Sequence, residues 1–211
     1  MIKKLIFQYY NYRLKKIYSE NVEKFGCVPA AIFWNSERSQ FDRFEILIKL
    51  VKKFDENYKL SIADVGCGYG SFLDFLIKKK YQNIKYSGYD INPTLIKSCL
   101  KKYPNFYFSI NNFPSMNCDL AIMSGTYNLC VSNNISLWEE YIIYNLKECF
   151  NFCTKGMIFN LQYSKESYIK NFIYYTNVES MQKMLKKQFN RVEISYNAKT
   201  INDVYFSISR Y

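Results

Sequence analysis

The sequence predicts an α/β protein, a three-layer, doubly wound sandwich around a mostly parallel, seven-stranded sheet. Three observations predict this class. The 211 residues suffice for one sizeable α/β domain but not for two ordinary ones. Short runs of β-forming residues alternate with segments whose apolar residues recur at helical spacing, a pattern typical of parallel sheets covered by helices. The last two strand candidates have no helix between them, so an antiparallel C-terminal hairpin should complete the sheet.

The N-terminal segment, residues 1–56, is predicted to be helical and to lie as a lid over the α/β domain of residues 57–211. Its clearest helical signal is an apolar stripe, which consists of Phe41, Phe44, Leu47, Ile48 and Val51. We expect the preceding residues to cover the substrate, among them Phe33, Trp34, Glu37, Arg38 and Gln40.

Strand and helix candidates alternate through residues 57–211. The strands are predicted at 60–65, 84–89, 106–110, 119–124, 156–161, 191–196 and 203–209, and the helices at 72–80, 92–102, 135–153 and 178–188. Asn92 should cap the second of these helices, because its side-chain oxygen can accept backbone hydrogen bonds, and Pro93 suits the first helical position. The tyrosine-rich residues 163–175 are predicted to be a linker that helps to cover the site.

The composition restricts the possible chemistry. The chain has no histidine, which excludes Ser–His and Cys–His nucleophile systems. Its seven cysteines lack CxxC or Cys/His spacing, so we expect no metal site and free thiols in a cytoplasmic protein. No segment approaches the ~20 apolar residues of a membrane span.

The formal net charge of +11 is compatible with nucleic-acid binding. However, lysine outnumbers arginine by 24 to five, and arginine is the residue suited to two-point contacts with phosphates and bases. An AT-rich genome is an alternative source of the lysine excess. Nucleic acid is therefore not expected to be a specific partner, and the sequence leaves the oligomeric state open.

The most specific motif is DVGCGYG, residues 64–70, between a predicted strand and a predicted helix. Glycines let the backbone turn tightly and approach a ligand where a Cβ atom would obstruct it. The order GxGxG differs from the GxGxxG of nicotinamide sites and from phosphate-binding loops, which favours a ligand without a pyrophosphate. A tight strand–helix connection without a ligand is the alternative.

Asp90 stands at the predicted end of the second strand, 20 residues beyond Gly70. A carboxylate there can accept hydrogen bonds from two ribose hydroxyls. Its alternative role, capping the next helix, is already filled by Asn92.

Together, DVGCGYG and the following SGYDINP resemble the first two motifs of class I (Rossmann-like) S-adenosylmethionine (SAM)-dependent methyltransferases, and the likeness extends over about residues 41–161. The resemblance implies an enzyme that uses SAM as a methyl donor and releases S-adenosylhomocysteine (SAH), without a metal. The cofactor-binding residues that it implies are Arg43, Asp64, Gly66, Cys67, Gly68, Gly70, Asp90, Ile91, Asn111, Ser124 and Gly125.

The resemblance also implies individual roles. The three glycines line the methionine and ribose side, Asp64 holds the amino group through water, and Ile91 lies against the adenine. Asn111 stands where related enzymes place an acidic residue near the adenine amino group, and an amide oxygen can still accept that hydrogen bond. Several relatives place an arginine near the position of Arg43 against the SAM carboxylate; a solvated position is the alternative.

We expect the acceptor to be a small polar molecule such as a sugar, an amino compound or a biosynthetic intermediate. The end of the fourth strand, residues 124–128, lacks the (D/N)PP(Y/F) motif of enzymes that methylate amino groups of nucleic acids. Tyr168, Tyr174 and Tyr175 are predicted to wall the acceptor, although they are equally suited to covering the sheet edge.

Methyl transfer is an in-line displacement that depends on alignment and exclusion of water. Candidates for a base, where one is needed, are Tyr127, Glu37 and Tyr163, and the sequence does not single one out. A methyltransferase acting on RNA, DNA or protein, and a non-catalytic SAM-binding protein, remain alternatives.

Overall fold

The helices and strands follow the predicted order. The computed structural model describes residues 2–211. The helices are α1 (Ile2–Phe25), α2 (Glu37–Val51), α3 (Ser71–Lys78), α4 (Pro93–Lys102), α5 (Ile135–Asn151) and α6 (Val178–Lys186), with 3-10 helices at Pro29–Ile32 and Ala198–Thr200. The strands are β1 (Ser61–Val65), β2 (Lys85–Asp90), β3 (Tyr107–Ile110), β4 (Cys118–Met123), β5 (Cys153–Ser164), β6 (Tyr168–Lys170), β7 (Ile173–Asn177), β8 (Arg191–Tyr196) and β9 (Asp203–Ser209).

All seven predicted strands are present and belong to one sheet. Strands β3, β2, β1, β4 and β5 lie side by side and run parallel. Strand β9 pairs antiparallel with β5, and β8 pairs antiparallel with β9, so the C-terminal hairpin extends the sheet as expected. The carboxyl ends of the five parallel strands therefore meet at one edge, where open α/β sheets bind their ligands.

A second hairpin, β6–β7, lies in the segment that the sequence predicts to be a linker. Strand β7 pairs with Gln162–Ser164, beyond the part of β5 that pairs with β4. Its turn places Asn171 and Phe172 at φ angles of 51° and 62°, a left-handed conformation usually taken by glycine or asparagine. The sheet thus has nine strands, two more than predicted.

Helices cover both faces of the sheet. On one face, α1, α5 and α6 pack on a core that contains Trp138, Phe159 and Phe206. On the other, α2, α3 and part of α4 pack on a core that contains Leu47 and Phe72. The stripe predicted in residues 41–51 belongs to this second core, which fixes α2 against the α/β domain.

The cap predicted for α4 is present. The Asn92 side-chain oxygen accepts hydrogen bonds from the backbone N–H groups of Thr94 and Leu95, at 2.9 and 3.1 Å. Because Asn92 follows Asp90 by two residues, this cap fixes the backbone at the end of β2. Among residues 2–211, no helix is both long and apolar enough to cross a membrane.

Candidate functional site

A cavity of about 710 Å³, including its open mouth, lies at the carboxyl ends of the parallel strands. One side is formed by residues at or just after those ends, namely Val65, Gly66, Gly68, Asp90, Ile91, Asn111, Asn112, Ser124, Gly125, Thr126 and Tyr127. The N-terminal segment closes the other side with Leu14, Tyr18, Ile32 and Trp34. We call this space the cofactor cavity.

The glycine turn after β1 has the geometry that its sequence predicts. Gly66, Gly68 and Gly70 have φ angles of 78°, 58° and 84°, which L-residues with a Cβ atom adopt only with strain. A Cβ atom on Gly66 would lie 2.7 Å from the side chain of Thr126, whose hydroxyl donates a hydrogen bond to the Val65 carbonyl. Close packing therefore requires a glycine at position 66, while position 68 faces the cavity.

Asp90 lies in the wall of the cofactor cavity with both carboxylate oxygens engaged by the backbone. Oδ2 accepts a hydrogen bond from the N–H of Gly68 at 2.9 Å, and Oδ1 accepts one from the N–H of Asn92 at 2.8 Å. Burial raises the pKa of Asp90 to about 6, and these two hydrogen bonds oppose the rise. A carboxylate has about four acceptor sites, so each oxygen can also accept a ligand hydroxyl.

Asparagines form the part of the cavity next to Ile91. The Asn112 side-chain N–H donates to Asn145 Oδ1 at 2.9 Å, and Asn145 in turn donates to the Tyr141 carbonyl at 2.8 Å. These two hydrogen bonds hold together one wall of the cofactor cavity. Asn111 accepts a hydrogen bond from the Asn112 N–H and keeps a further lone pair and its amide N–H groups for a ligand.

Ser124, directly after β4, carries an unpartnered polar atom. Its Oγ is buried, lies at the cavity and makes no hydrogen bond within residues 2–211. A buried hydroxyl without a partner is costly, and a ligand that hydrogen-bonds to it removes that cost. The neighbouring Gly125 N–H is already used, since it donates to Asn160 Oδ1 at 2.9 Å.

Seven of the residues implied by the resemblance line the cofactor cavity: Gly66, Gly68, Asp90, Ile91, Asn111, Ser124 and Gly125. The structure does not bring four others to its wall, namely Arg43, Asp64, Cys67 and Gly70.

Each of these four has a different environment. Asp64 accepts a hydrogen bond from the Tyr86 hydroxyl at 2.8 Å, and burial raises its pKa to about 7. Cys67 is buried beneath the turn, and Gly70 precedes the first residue of α3 as its N-cap. Arg43 pairs with the buried Asp203, with 2.7 Å between Nε and Oδ2.

The three candidate bases lie in different environments. Tyr127 lines the cavity, but its hydroxyl contacts Met123 Sδ at 3.5 Å, and burial raises its pKa well above the usual value, so it stays protonated. Glu37 is exposed and pairs with Lys78 at 2.6 Å. Tyr163 packs edge-on against Tyr196, outside the wall of this cavity.

Three tyrosines are predicted either to wall the acceptor or to cover the sheet edge, and they cover the sheet edge: Tyr168, Tyr174 and Tyr175. Tyr174 is fully buried, and its hydroxyl donates to Glu139 at 2.6 Å. Tyr168 stacks on Tyr175, its neighbour on β7, with 4.5 Å between ring centroids. The hairpin uses these rings for its own packing.

Helix α1 contributes to the cavity in a way that is not predicted above. Leu14 and Tyr18 lie in its wall, whereas Phe7 and Tyr10 on the same helix pack into the core. These four residues recur at intervals of three, four and four, which is the spacing of one buried helical face. This spacing is the feature of the sequence from which the buried face of α1 could have been predicted.

A second cavity of about 520 Å³, including its open mouth, adjoins the first, and we call it the side cavity. Both cavities share Tyr18, Ile32, Trp34 and Gly125. The remaining lining residues are Phe33, Asn35, Ser39, Arg43, Asn128, Leu129, Gln162 and Ile173. Arg43 thus lies at this cavity rather than at the cofactor cavity.

Solved structures of methyltransferases have a similar fold. A SAM-dependent methyltransferase from Leishmania major aligns with a TM-score of 0.65 and 11% identity over 91% of this chain and 82% of its own. Magnesium protoporphyrin IX methyltransferase from Synechocystis, solved with bound SAH, aligns with a TM-score of 0.59 and 11% identity over 82% of this chain and 84% of its own.

Sequence comparison finds a curated Mycobacterium tuberculosis protein, named as an inferred methyltransferase. It is 24% identical over 136 residues, which are 62% of this chain and 81% of that protein. No family model matches the chain. The strand order, the glycine turn after β1 and the carboxylate at the end of β2 agree with the structural likeness. The chain therefore has the class I fold of SAM-dependent methyltransferases.

Proposed function

We propose that this protein is a SAM-dependent methyltransferase that acts on a small polar acceptor. One observation carries the proposal: a single cavity combines the glycine turn, the Asp90 carboxylate and the unpartnered Ser124 hydroxyl. Methyltransferases with the same fold, one of them solved with SAH, support it.

In the orientation that we propose for SAM, Asp90 would accept hydrogen bonds from the ribose hydroxyls, and Ile91 and Asn111 would lie at the adenine. Gly66 and Gly68 would leave room for the methionine portion beside the turn. When bound, SAM supplies a methyl carbon activated by its sulfonium sulfur.

The task of the chain is then to align the acceptor and exclude water. Tyr18, Ile32 and Trp34 cover the cavity from the N-terminal side, which we propose is the role of residues 1–56. Because Tyr127 stays protonated, it contributes to the wall rather than to proton removal. A nucleophile that loses its proton to solvent after methyl transfer suits such a site.

The acceptor is small and polar in this proposal, because the polar side chains that line the side cavity next to Gly125 are the amides of Asn35, Asn128 and Gln162, the Ser39 hydroxyl and the Arg43 guanidinium. The residues after β4 also lack the (D/N)PP(Y/F) motif.

The proposal is tested in two steps. Calorimetry should show that the purified protein binds SAM and SAH; absence of both would refute it. Labelled methyl groups from SAM are then followed into RNA, DNA, protein and small-metabolite fractions of a cell extract at about 150 mM salt, where weak electrostatic binding is screened. We expect label in the metabolite fraction. Label confined to a macromolecular fraction would instead favour a nucleic-acid or protein acceptor, and binding without any transfer would favour a non-catalytic SAM-binding protein.

A further inference from the structure

We propose that the side cavity binds the methyl acceptor and that this acceptor is a small organic anion whose carboxylate contacts Arg43. This inference rests on the proposed function, since only a methyltransferase has a methyl acceptor. It adds the chemical class of the acceptor and the residue that selects it.

The location of the side cavity suits an acceptor. It shares Trp34 and Gly125 with the cofactor cavity, and Gly125 directly follows Ser124 at the end of β4. A molecule in the side cavity therefore lies next to a ligand in the cofactor cavity, because the two cavities share part of their lining. In-line transfer requires this kind of adjacency.

The charges of the lining select the sign of the ligand. Arg43 is the single charged side chain among the residues that line the side cavity, and no carboxylate is present there. The other polar groups are neutral, from Asn35, Ser39, Asn128 and Gln162. An ammonium group would find no anionic partner in this lining, whereas a carboxylate finds a guanidinium.

The guanidinium of Arg43 is held in place by three contacts. Its Nε pairs with Asp203, its Nη1 donates to the Ser39 carbonyl at 2.9 Å, and its Cζ lies over the Trp34 ring, 4.8 Å from the ring centroid. Its Nη2 makes no hydrogen bond within residues 2–211, and 16% of the side chain remains exposed. A group fixed in this way loses little conformational entropy when it binds a carboxylate.

Asp203 does not replace the ligand. It is 1% exposed, does not line the side cavity and also accepts a hydrogen bond from the Asn160 side chain at 3.2 Å. It therefore holds the guanidinium through Nε and leaves Nη2 for a ligand. Phe33, Leu129 and Ile173 add apolar wall, which suits an acceptor with an apolar body attached to its carboxylate.

The inference is tested with benzoate, its neutral isostere benzamide and the cation benzylammonium. Each is titrated by calorimetry into the wild-type protein saturated with SAH. Loss of a charge-assisted hydrogen bond costs about 10- to 150-fold in affinity, so benzoate should bind at least about tenfold more tightly than benzamide, and benzylammonium should bind most weakly.

Two substitutions on α2 form a matched pair. Arg43→Gln should abolish the preference for benzoate and leave the affinity for SAH within about twofold. Arg38→Gln removes an exposed arginine outside both cavities and should change neither value. If Arg43→Gln does not fold, Arg43→Lys keeps the charge but not the planar fork, and should reduce the preference without abolishing it.

The outcomes separate this inference from the proposed function. SAH binding by the wild type is measured first and tests the cofactor site alone. Intact SAH binding with equal affinity for benzoate and benzamide overturns the anionic acceptor only. Weaker SAH binding by Arg43→Gln also overturns it, because Arg43 would then serve the cofactor. In the transfer assay, the labelled metabolite should be retained by an anion exchanger at neutral pH, and a labelled product that is not retained would contradict the inference.

Discussion

The ends of β1 and β2 each carry a buried aspartate, and the two carboxylates differ in what they face. Asp64 points to the sheet face covered by α2 and α3, where the Tyr86 hydroxyl is its partner. Asp90 points to the cofactor cavity, and backbone N–H groups hold it there. Burial raises the pKa of both, to about 7 and about 6.

This difference follows from strand geometry. Successive side chains of a strand point to opposite faces, so Val65 reaches the cavity while the preceding Asp64 cannot. Asp90 is the last residue of its strand, where the chain turns and frees the side chain from either face. We therefore propose that Asp90 contacts the ligand and that Asp64 is an internal polar group, although both are buried carboxylates near the glycine turn. The following substitutions test this distinction.

The largest effect is expected from Gly68→Val, which should abolish measurable SAM binding. Gly68 has a φ angle of 58° and faces the cavity, so a β-branched side chain strains the turn and occupies space beside the ligand. Gly26→Val is the matched control, since Gly26 has a φ angle of 74° but open space around it. The control should lose stability and keep its SAM affinity. Calorimetry measures the SAM affinity of each variant, and circular dichroism measures its stability. An equal loss of SAM binding in the two variants would contradict the prediction.

Asp90→Ala should weaken SAM binding about 10- to 150-fold, because charge-assisted hydrogen bonds to the ribose are lost. Asp64→Asn should change the SAM affinity by less than about twofold, although Asp64 belongs to the glycine motif DVGCGYG. Calorimetry on the two variants side by side gives the comparison directly. A larger loss for Asp64→Asn than for Asp90→Ala would reverse the roles assigned to the two strand ends.

Much of this arrangement is predictable from local sequence. Each strand is a short run of β-forming residues, and the glycine turn, Asp90 and the Asn92 cap follow strand ends, so the parallel topology alone brings them together. The face of the sheet to which the Asp64 side chain points is harder to predict, because an error of one residue in the position of the strand reverses that face.

Other parts of the site depend on tertiary packing. Trp34 and Tyr18 precede the α/β domain by tens of residues, and only the docking of α1 and α2 places them at the cavity. The β6–β7 hairpin is not predicted because its strands are short and its turn uses Asn171 and Phe172 rather than glycine. Similarly, the partner of Arg43 lies 160 residues away, in β9.

Asp64→Asn should change the pH dependence of stability. The pKa of Asp64 is raised from 3.8 to about 7, so the unfolded chain loses this proton first and the native state binds more protons between these values. Wild-type stability therefore falls as pH rises through that window, whereas asparagine does not titrate and can still accept the Tyr86 hydrogen bond. Between pH 5 and pH 8, the free energy of unfolding of the variant should rise by on the order of 2 kcal/mol relative to that of the wild type. Urea unfolding at pH 5 and pH 8 measures the free energy of unfolding of both proteins. If that free energy changes equally with pH in the two proteins, the pKa of Asp64 is not raised in the native state.

The smallest effect is expected from Ser124→Ala, which should weaken SAH binding about 2- to 12-fold, the value of one neutral hydrogen bond. The Ser124 hydroxyl has no partner in the chain, so its loss should leave the free energy of unfolding unchanged or slightly higher. Ser207→Ala provides the control, because the Ser207 hydroxyl is also buried without a partner but lies in β9, away from the cofactor cavity. It should show the same stability change with no change in SAH affinity. If both variants bind SAH as tightly as the wild type, the unpartnered hydroxyl at the end of β4 does not contact the cofactor, and the cost of burying it is not relieved by this ligand.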